Sequence, residues 1–402
     1  MRLLLVTDAW EPQTNGVVNT LRYVCKELAT MDIVVERISP ELFRTIPCPS
    51  YPEIRLAFFC DREVRDVLDR FAPDAIHIAT EGPLGVAARN LCLSRGLKFS
   101  TSYHTRFPEY VRARWPIPLA VSYGYMRWFH DAASCTMVAT PTMREELSNR
   151  GFRNLRPWSR GVDTQLFKPR DRGSLTRPNN DRNPVFIYVG RVSVEKNVEA
   201  FLDAALPGTK VIVGDGPARA RLQALHPLAQ FRGMLHGEAL ALEIAAASVM
   251  VFPSRTDTFG LVMLEAMASG VPVAAFPVTG PLDVITEGVT GCMDEDLAVA
   301  AHKALALDRE RCRRVAEEKS WRASAQEFMG NLVPARASCP ARFDWSSVEA
   351  SLGSLFAGYR DDPRAGGEPP GLGRRRSIAE STVRSNPIVV MSPLFDQHLC
   401  FT

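Results

Sequence analysis

Short apolar runs alternate with amphipathic stretches along the first 170 residues. "RLLLVTD" (2–8) is a continuous apolar run, as expected of a strand buried on both faces. The pattern predicts a helix from about Gly16 to Ala29, strands at "DIVVERI" and "EIRLAFF", and a helix at "REVRDVLDRF". "DAIHIAT", "LKFSTSYH" and "ASCTMVAT" read as strands, "GPLGVAARNLCLSRG" and "MREELSNRG" as helices. This β-α-β-α order predicts a parallel sheet with helices on both faces.

The alternation stops at 170–184, where "KPRDRGSLTRPNNDRNP" has the polar, Pro- and Asn-rich character of an interdomain linker. It then restarts. "PVFIYVG", "TKVIVGDG", "VMVFPS" and "VPVAAFPV" read as strands; "NVEAFLDAAL", "PARARLQAL", "HGEALALEIAAAS", "TFGLVMLEAMASG" and "PLDVITEG" read as helices. The fold class is therefore α/β, with two Rossmann-like doubly wound domains, 1–169 and 185–334, facing across a cleft suited to a ligand. Residues 335–402 lose the alternation and are rich in Gly and Pro, the composition of a disordered tail.

Composition narrows the classes. A net charge of +3 over 402 residues gives no argument for nucleic acid. Residues 101–170, however, hold eleven Lys/Arg against five Asp/Glu, a basic face able to attract phosphate or an anionic surface. The nine cysteines include no Cys-x-x-Cys pair and read as reduced cytosolic thiols. The apolar run in "MRLLLVTDAWEP" is too short for a signal peptide, and none approaches the roughly 20 residues that span a bilayer. The expected location is cytoplasmic, with peripheral contact at the inner membrane face. "YVRARWPIPLAVSYGYMRWFHDAAS" interleaves Arg with Trp, Tyr and Phe: either an interfacial patch on anionic lipid or a core helix with a basic outer face.

Candidate chemistry gathers at strand ends. After "PVFIYVG", Gly190 leads to Arg191 and Lys196, two cations at the mouth of an α/β sheet, placed for phosphate oxygens or simply solvated. Gly214 and Gly216 in "VGDGP" allow a ligand to approach closely. In "PSRTDTFGLVMLEAMASG", Phe259 and Gly260 mark a helix start, whose free N–H groups form an anion site. Asp257 precedes it, as a helix cap or a ligand contact. Glu265 lies in an apolar run, where a carboxylate needs a partner or a ligand. Asn15 and Gly16 open the first helix with a similar turn, and His104 follows a strand. "WSRGVD" puts Arg160 near the cleft mouth. "DED" (294–296) opens a predicted helix, so its acids suit the helix dipole rather than a metal. No dinucleotide fingerprint, nucleophile elbow, metal set or cofactor motif emerges.

The motifs "VGRVSVEKN", "VGDGP", "PSRTDTFGLVMLEAMASGVPV" and, upstream of them, "RGVDTQLFKP", over roughly the first 330 residues, resemble retaining nucleotide-sugar glycosyltransferases of the GT-B fold. "SYHTRFPEY" and "WFHDAAS" are most similar to the branch with GDP-mannose-dependent α-mannosyltransferases and diacylglycerol glycosyltransferases. The resemblance implies a hexosyltransferase that uses no cofactor or metal, with a nucleotide-sugar donor, GDP-mannose first, and a lipid or glycan acceptor. The same chemistry with UDP-glucose or UDP-glucuronate and a soluble acceptor, or nucleotide-sugar binding without turnover, stays open. It further implies that Arg191 and Lys196 bind the diphosphate and Glu265 the ribose. Asp257 would contact the transferred sugar. Gly190, Gly214, Thr258, Phe259, Gly260 and Leu261 would line the donor, Gly16 its phosphates, and His104 the reacting sugar. The helix around "KSWRASAQEFM" would cross back onto the first domain. Two departures stand out: the first acid is Asp rather than the usual Glu, and the N-terminal loop has a single glycine.

Overall fold

The computed structural model of the chain describes residues 1–13, 15–48, 51–170 and 183–336. Its strands are β1 (Arg2–Val6), β2 (Val34–Ile38), β3 (Thr45–Cys48), β4 (Tyr51–Ala57), β5 (Ala75–Ile78), β6 (Ser100–Tyr103), β7 (Cys135–Val138), β8 (Leu155–Pro157), β9 (Val185–Val189), β10 (Thr209–Val213), β11 (Gln230–Gly233), β12 (Val249–Phe252), β13 (Val273–Ala275) and β14 (Gly291–Met293). All but β3 and β4 form two six-stranded parallel sheets, ordered β2-β1-β5-β6-β7-β8 and β11-β10-β9-β12-β13-β14. In each, the strand order reverses beside the first strand, between β1 and β5 and between β9 and β12. Open α/β sheets bind ligands at the carboxyl ends of the strands flanking that point.

The central strands β5, β7 and β12 are buried along their whole length, which is why they read as mostly apolar runs, broken only by His77 and Thr136. β6 is equally buried but polar. The ring of His77, on β5, bonds Ser100 Oγ at 2.9 Å through Nδ1 and Ser102 Oγ at 2.8 Å through Nε2. Thr101 Oγ1 meets Thr136 Oγ1 at 3.0 Å and His130 Nδ1 at 2.9 Å. Pairing of this kind offsets the cost of burying hydroxyls. Burial drives the His77 pKa down to about 3, so this layer is neutral and fixes the strand that carries His104.

Several sequence expectations need correction. "EIRLAFF" is not a strand of the main sheet. It belongs to β4, which pairs antiparallel with β3 in a separate two-stranded ribbon. β8, β11, β14 and the helix Arg309–Glu317 were not anticipated. The acids of "DED" precede their helix instead of lying in its first turn: Asp296 caps Leu297–Ala304, accepting from the Ala298 amide at 2.8 Å. Of the predicted linker, 171–182 lies outside the described residues, as does 337–402 of the predicted tail. Ala335 is itself 2% exposed and its amide donates to the Asp74 carbonyl at 2.8 Å, so the chain near 335 belongs to the first sheet's core.

That return is made by the helix Trp321–Asn331, which packs on the helix Gly16–Ala29, with Trp321 stacked on Tyr23 at 4.9 Å between ring centroids. Trp158 Nε1 donates to the Ser324 carbonyl at 3.2 Å, and Glu327 Oε2 accepts from the Ser159 amide at 2.6 Å. The two chain crossings touch at Gly161, where a Cβ would lie 2.4 Å from the Trp321 amide nitrogen. No helix among the described residues is long and apolar enough to cross a membrane.

Candidate functional site

The carboxyl ends of β9 and β12 are neighbours because the strands pair, with Val249 opposite Phe186 and Met250 opposite Ile187. Beyond β9 the chain turns at Gly190, makes a 3-10 turn over Val194–Lys196 and places Asn197 in the left-handed region at φ 52°. Beyond β12 it runs through Pro253–Phe259 to the helix Leu261–Ala268. Polar contacts zip the two loops together. Asn197 Nδ2 donates to the Pro253 carbonyl at 3.2 Å, Thr256 Oγ1 donates to the Glu195 carbonyl at 3.2 Å, and Lys196 is ion-paired with Asp257.

Asp257 is therefore not a helix cap. Its partner is the ammonium group. Burial works against the charged Lys196, but the facing Asp257 carboxylate, together with Tyr110 and Tyr188, outweighs it and holds the lysine pKa above its ordinary value. Glu265, one turn into the helix, has the opposite surroundings. Its carboxylate has no hydrogen-bond or ion-pair partner among the described residues, and burial alone raises its pKa to about 7. It sits within electrostatic reach of Tyr23, which also feels Asp163, so it looks out towards the first domain.

The glycines have steric roles. A Cβ on Gly214 would lie 1.9 Å from the Gly190 carbonyl oxygen, and one on Gly216 2.4 Å from that of Val192. The Gly190 amide donates to Val213 O at 3.0 Å and that of Gly214 to Gly233 O at 2.8 Å, so neither amide faces a ligand. Gly260, at φ 87°, begins the helix Leu261–Ala268 without a side-chain cap, leaving its first amides to a ligand or solvent. Phe259 packs against the core of the second domain. Leu261 packs against the first domain's core, and its Cδ1 lies 3.8 Å from where a Gly16 Cβ would stand, so the two helix starts face each other. At the Gly16 turn, Asn15 Oδ1 accepts from the amides of Val17 and Val18, both at 3.0 Å. Those donors are occupied, which leaves the turn less to offer a phosphate than the sequence suggests.

His104 follows β6 at the same edge. Arg160 Nη2 lies 3.4 Å from its Nδ1, and the ring meets Trp158 edge-on at 5.6 Å. Burial, followed by the Arg160 charge, keeps the imidazole pKa well below its ordinary value, so the ring is neutral. A guanidinium only donates, so Nδ1 accepts and Nε2 carries the proton. That buried Nε2 has no partner among the described residues. Burial lowers the Arg160 pKa to about 9.

Two residues at this edge escaped sequence reasoning. Tyr110, on the helix Phe107–Arg114, is hydrogen-bonded to Thr256 and lies in the field of Lys196 and Asp257. Asp283 Oδ1 accepts from the Thr142 amide at 3.1 Å and its hydroxyl at 2.9 Å, another link between domains. The Tyr110 signal was its place in "SYHTRFPEY", six residues after His104. Thr258, expected at the donor, turns its hydroxyl to the His104 carbonyl at 2.7 Å.

Residues 14–166 match the family model described as Glycosyltransferase Family 4, and 183–308 the model described as Glycosyl transferases group 1. The sulfoquinovosyl transferase of Arabidopsis thaliana is 31% identical over 78% of this chain and 69% of its own length. A GDP-mannose-dependent alpha-mannosyltransferase of Mycolicibacterium smegmatis is 31% identical over 82% and 96%. Among solved structures, the sucrose-phosphate synthase of Thermosynechococcus elongatus superposes with a TM-score of 0.64 at 22% identity, covering 89% of this chain and 98% of that one, a likeness of fold. With two Rossmann-like sheets in the GT-B arrangement and both family models matched in order, the chain belongs to the glycosyltransferases of family 4 and group 1.

Proposed function

We propose that this glycosyltransferase moves a hexose, with its anomeric configuration retained and without a metal, from a nucleotide-sugar donor to a lipid or polyprenyl-linked hydroxyl. GDP-mannose is the favoured donor. One observation carries the reading: at the switch point of the second sheet, a paired Lys196–Asp257 and a Glu265 with no partner among the described residues lie on adjoining loops and one helix. A half-buried carboxylate without a cation suits a ligand that brings hydroxyl donors, as a ribose does. Lys196 and Arg191 would take the diphosphate, helped by amides at the start of Leu261–Ala268. Asp257 would take the sugar hydroxyls, and the Nε2–H of His104 would donate to the same sugar. The bond from the anomeric carbon to the diphosphate oxygen breaks, and the acceptor oxygen bonds that carbon from the same face. The acceptor proton passes to a phosphate oxygen. The leaving charge is met by fixed cations and dipoles. The similarity to a GDP-mannose-dependent mannosyltransferase supports the donor.

The acceptor side of the proposal rests on the first domain's surface. Trp115, Ile117, Val121, Tyr125 and Trp128 are all exposed, and the last three fall on one stripe of the helix Leu119–His130. Arg112 and Arg127 are exposed beside them. Aromatic and aliphatic groups flanked by cations fit an anionic lipid surface. Thermal stabilisation by GDP-mannose, UDP-glucose, UDP-glucuronate and UDP-galactose tests the donor, since a ligand of the folded state raises its apparent stability. GDP-mannose should give the largest shift, and a larger shift with a uridine donor would overturn that choice. Flotation with anionic phospholipid vesicles tests the surface: no flotation at low salt would count against a membrane acceptor.

A further inference from the structure

The loop that carries Asp257 is held at alternate residues by the opposite domain. Thr258 Oγ1 donates to the His104 carbonyl at 2.7 Å. Thr256 is hydrogen-bonded to Tyr110, six residues further along the same segment. Between them, Asp257 pairs with Lys196, and Thr256 Oγ1 also donates to the Glu195 carbonyl at 3.2 Å, so the loop is fastened to the Val194–Lys196 turn of its own domain as well. The Gly280 turn backs the loop, where a Cβ would lie 3.1 Å from the Asp257 carbonyl oxygen. The loop is thus pinned by its own domain behind and by the acceptor domain in front.

We infer that Thr258 and Tyr110 are positioning residues: by tying the Asp257 loop to the acceptor domain, they make the contact with the donor sugar depend on closure of the two domains. This rests on the proposed sugar contact of Asp257. Neither residue needs to touch the donor. Opening the cleft breaks both bonds, because each joins residues of different sheets. The nucleotide end, read by Glu265 on a regular helix, meets the first domain through Leu261 but has no side-chain hydrogen bond to it among the described residues. Sugar recognition and nucleotide binding are therefore separable in this chain.

The test compares Thr258→Val, which keeps the shape and loses the hydroxyl, with Thr258→Ser, which keeps the hydroxyl, and with Tyr110→Phe. Each is assayed with GDP-mannose and its 2-epimer GDP-glucose, or with UDP-glucose and UDP-galactose if the thermal screen selects uridine. Thr258→Val and Tyr110→Phe should lower kcat about tenfold and narrow the ratio of kcat/KM between epimers, while Kd for the free nucleoside diphosphate stays within about twofold. Thr258→Ser should restore both. Wild-type kcat and discrimination in Thr258→Val would overturn the inference. So would a parallel loss of nucleoside diphosphate affinity, or Thr258→Ser as damaged as Thr258→Val. Asp257→Asn separates the layers. If it leaves epimer discrimination unchanged, the reading of Asp257 fails and the inference with it. If it alters discrimination and Thr258→Val does not, the inference alone fails.

Discussion

Glu265 supplies the sharpest test, because its charge state is set by burial with no cation nearby. Its pKa rises from the ordinary 4.5 to about 7 in the ligand-free protein. That corresponds to about 3 kcal/mol against the ionised form. If ribose hydroxyls donate to this carboxylate, the donor selects the ionised form, and affinity must rise with pH. About one molecule in eleven is ionised at pH 6 and about ten in eleven at pH 8, so Kd should fall roughly tenfold between them. Calorimetry with an intact nucleotide sugar is the right assay, because its diphosphate is esterified at both ends and keeps its charge across this window. Titrations in buffers of different ionisation enthalpy should show nearly one proton released on binding at pH 6. Glu265→Gln should bind with little pH dependence and release none. His104 cannot mimic the effect, because burial keeps it neutral throughout. Asp8, with a pKa near 6, remains in the variant and acts as a control. A pH-independent wild-type Kd, or a tenfold rise that survives in Glu265→Gln, would refute the argument.

Asp8 makes a prediction of its own. It accepts from the Leu84 amide at 2.9 Å, the Gly85 amide at 3.3 Å and the Thr80 hydroxyl at 2.8 Å, yet burial outweighs these bonds and lifts its pKa from 3.8 to about 6. A raised carboxyl pKa means that the folded state holds the proton more tightly, so this contribution to stability is full below about 4 and is lost as pH rises through 6. Denaturant unfolding of Asp8→Asn between pH 4.5 and 7.5 should therefore gain on the wild type by about 2 kcal/mol, whatever its fixed offset; a parallel pH profile would contradict this. Gly214→Ala should lower the melting temperature sharply, because its Cβ would fall 1.9 Å from a backbone oxygen and its φ of 137° disfavours any side chain. Melting unchanged within a degree would show that the Gly190 turn can yield.

What the sequence disclosed follows a physical rule. Strands in the middle of each sheet are buried on both faces, and β1, β5, β9 and β12 were legible as apolar runs. The strands that were missed, β8, β11 and β14, are all at sheet edges, and none exceeds four residues. "LRP", "QFRG" and "GCM" offer no such run. β3 escaped for a related reason: it is a short ribbon strand with two exposed residues, and "TIPC" contains a proline. At the site, residues on one loop or helix were legible because a strand end followed by Gly and charge points to a ligand. Their partners were not. The bond from Thr258 to His104 spans 154 residues, and the pair Lys196–Asp257 spans 61. Sequence distance carries no information about which of these meet until the strand order is known.

The two acids of "PSRTDTFGLVMLEAMASG" now differ for a structural reason. Asp257 stands in a loop opposite an ammonium group, and the short side chain reaches Lys196 from there. Glu265 stands on a helix with an apolar flank and no cation paired with it among the described residues. In the ligand-free protein, charge is therefore balanced at the phosphate end of the proposed site and suppressed at the ribose end. A donor entering this site would bring two phosphate charges to Lys196 and Arg191. The lysine would then be shared with the diphosphate, loosening Asp257 just where the sugar arrives, while ribose hydroxyls give Glu265 a reason to ionise. Each acid would become available only as its own part of the donor docks. With Thr258 and Tyr110 holding the Asp257 loop to the other domain, the sugar contact would form only in the closed protein, with the acceptor surface already in place.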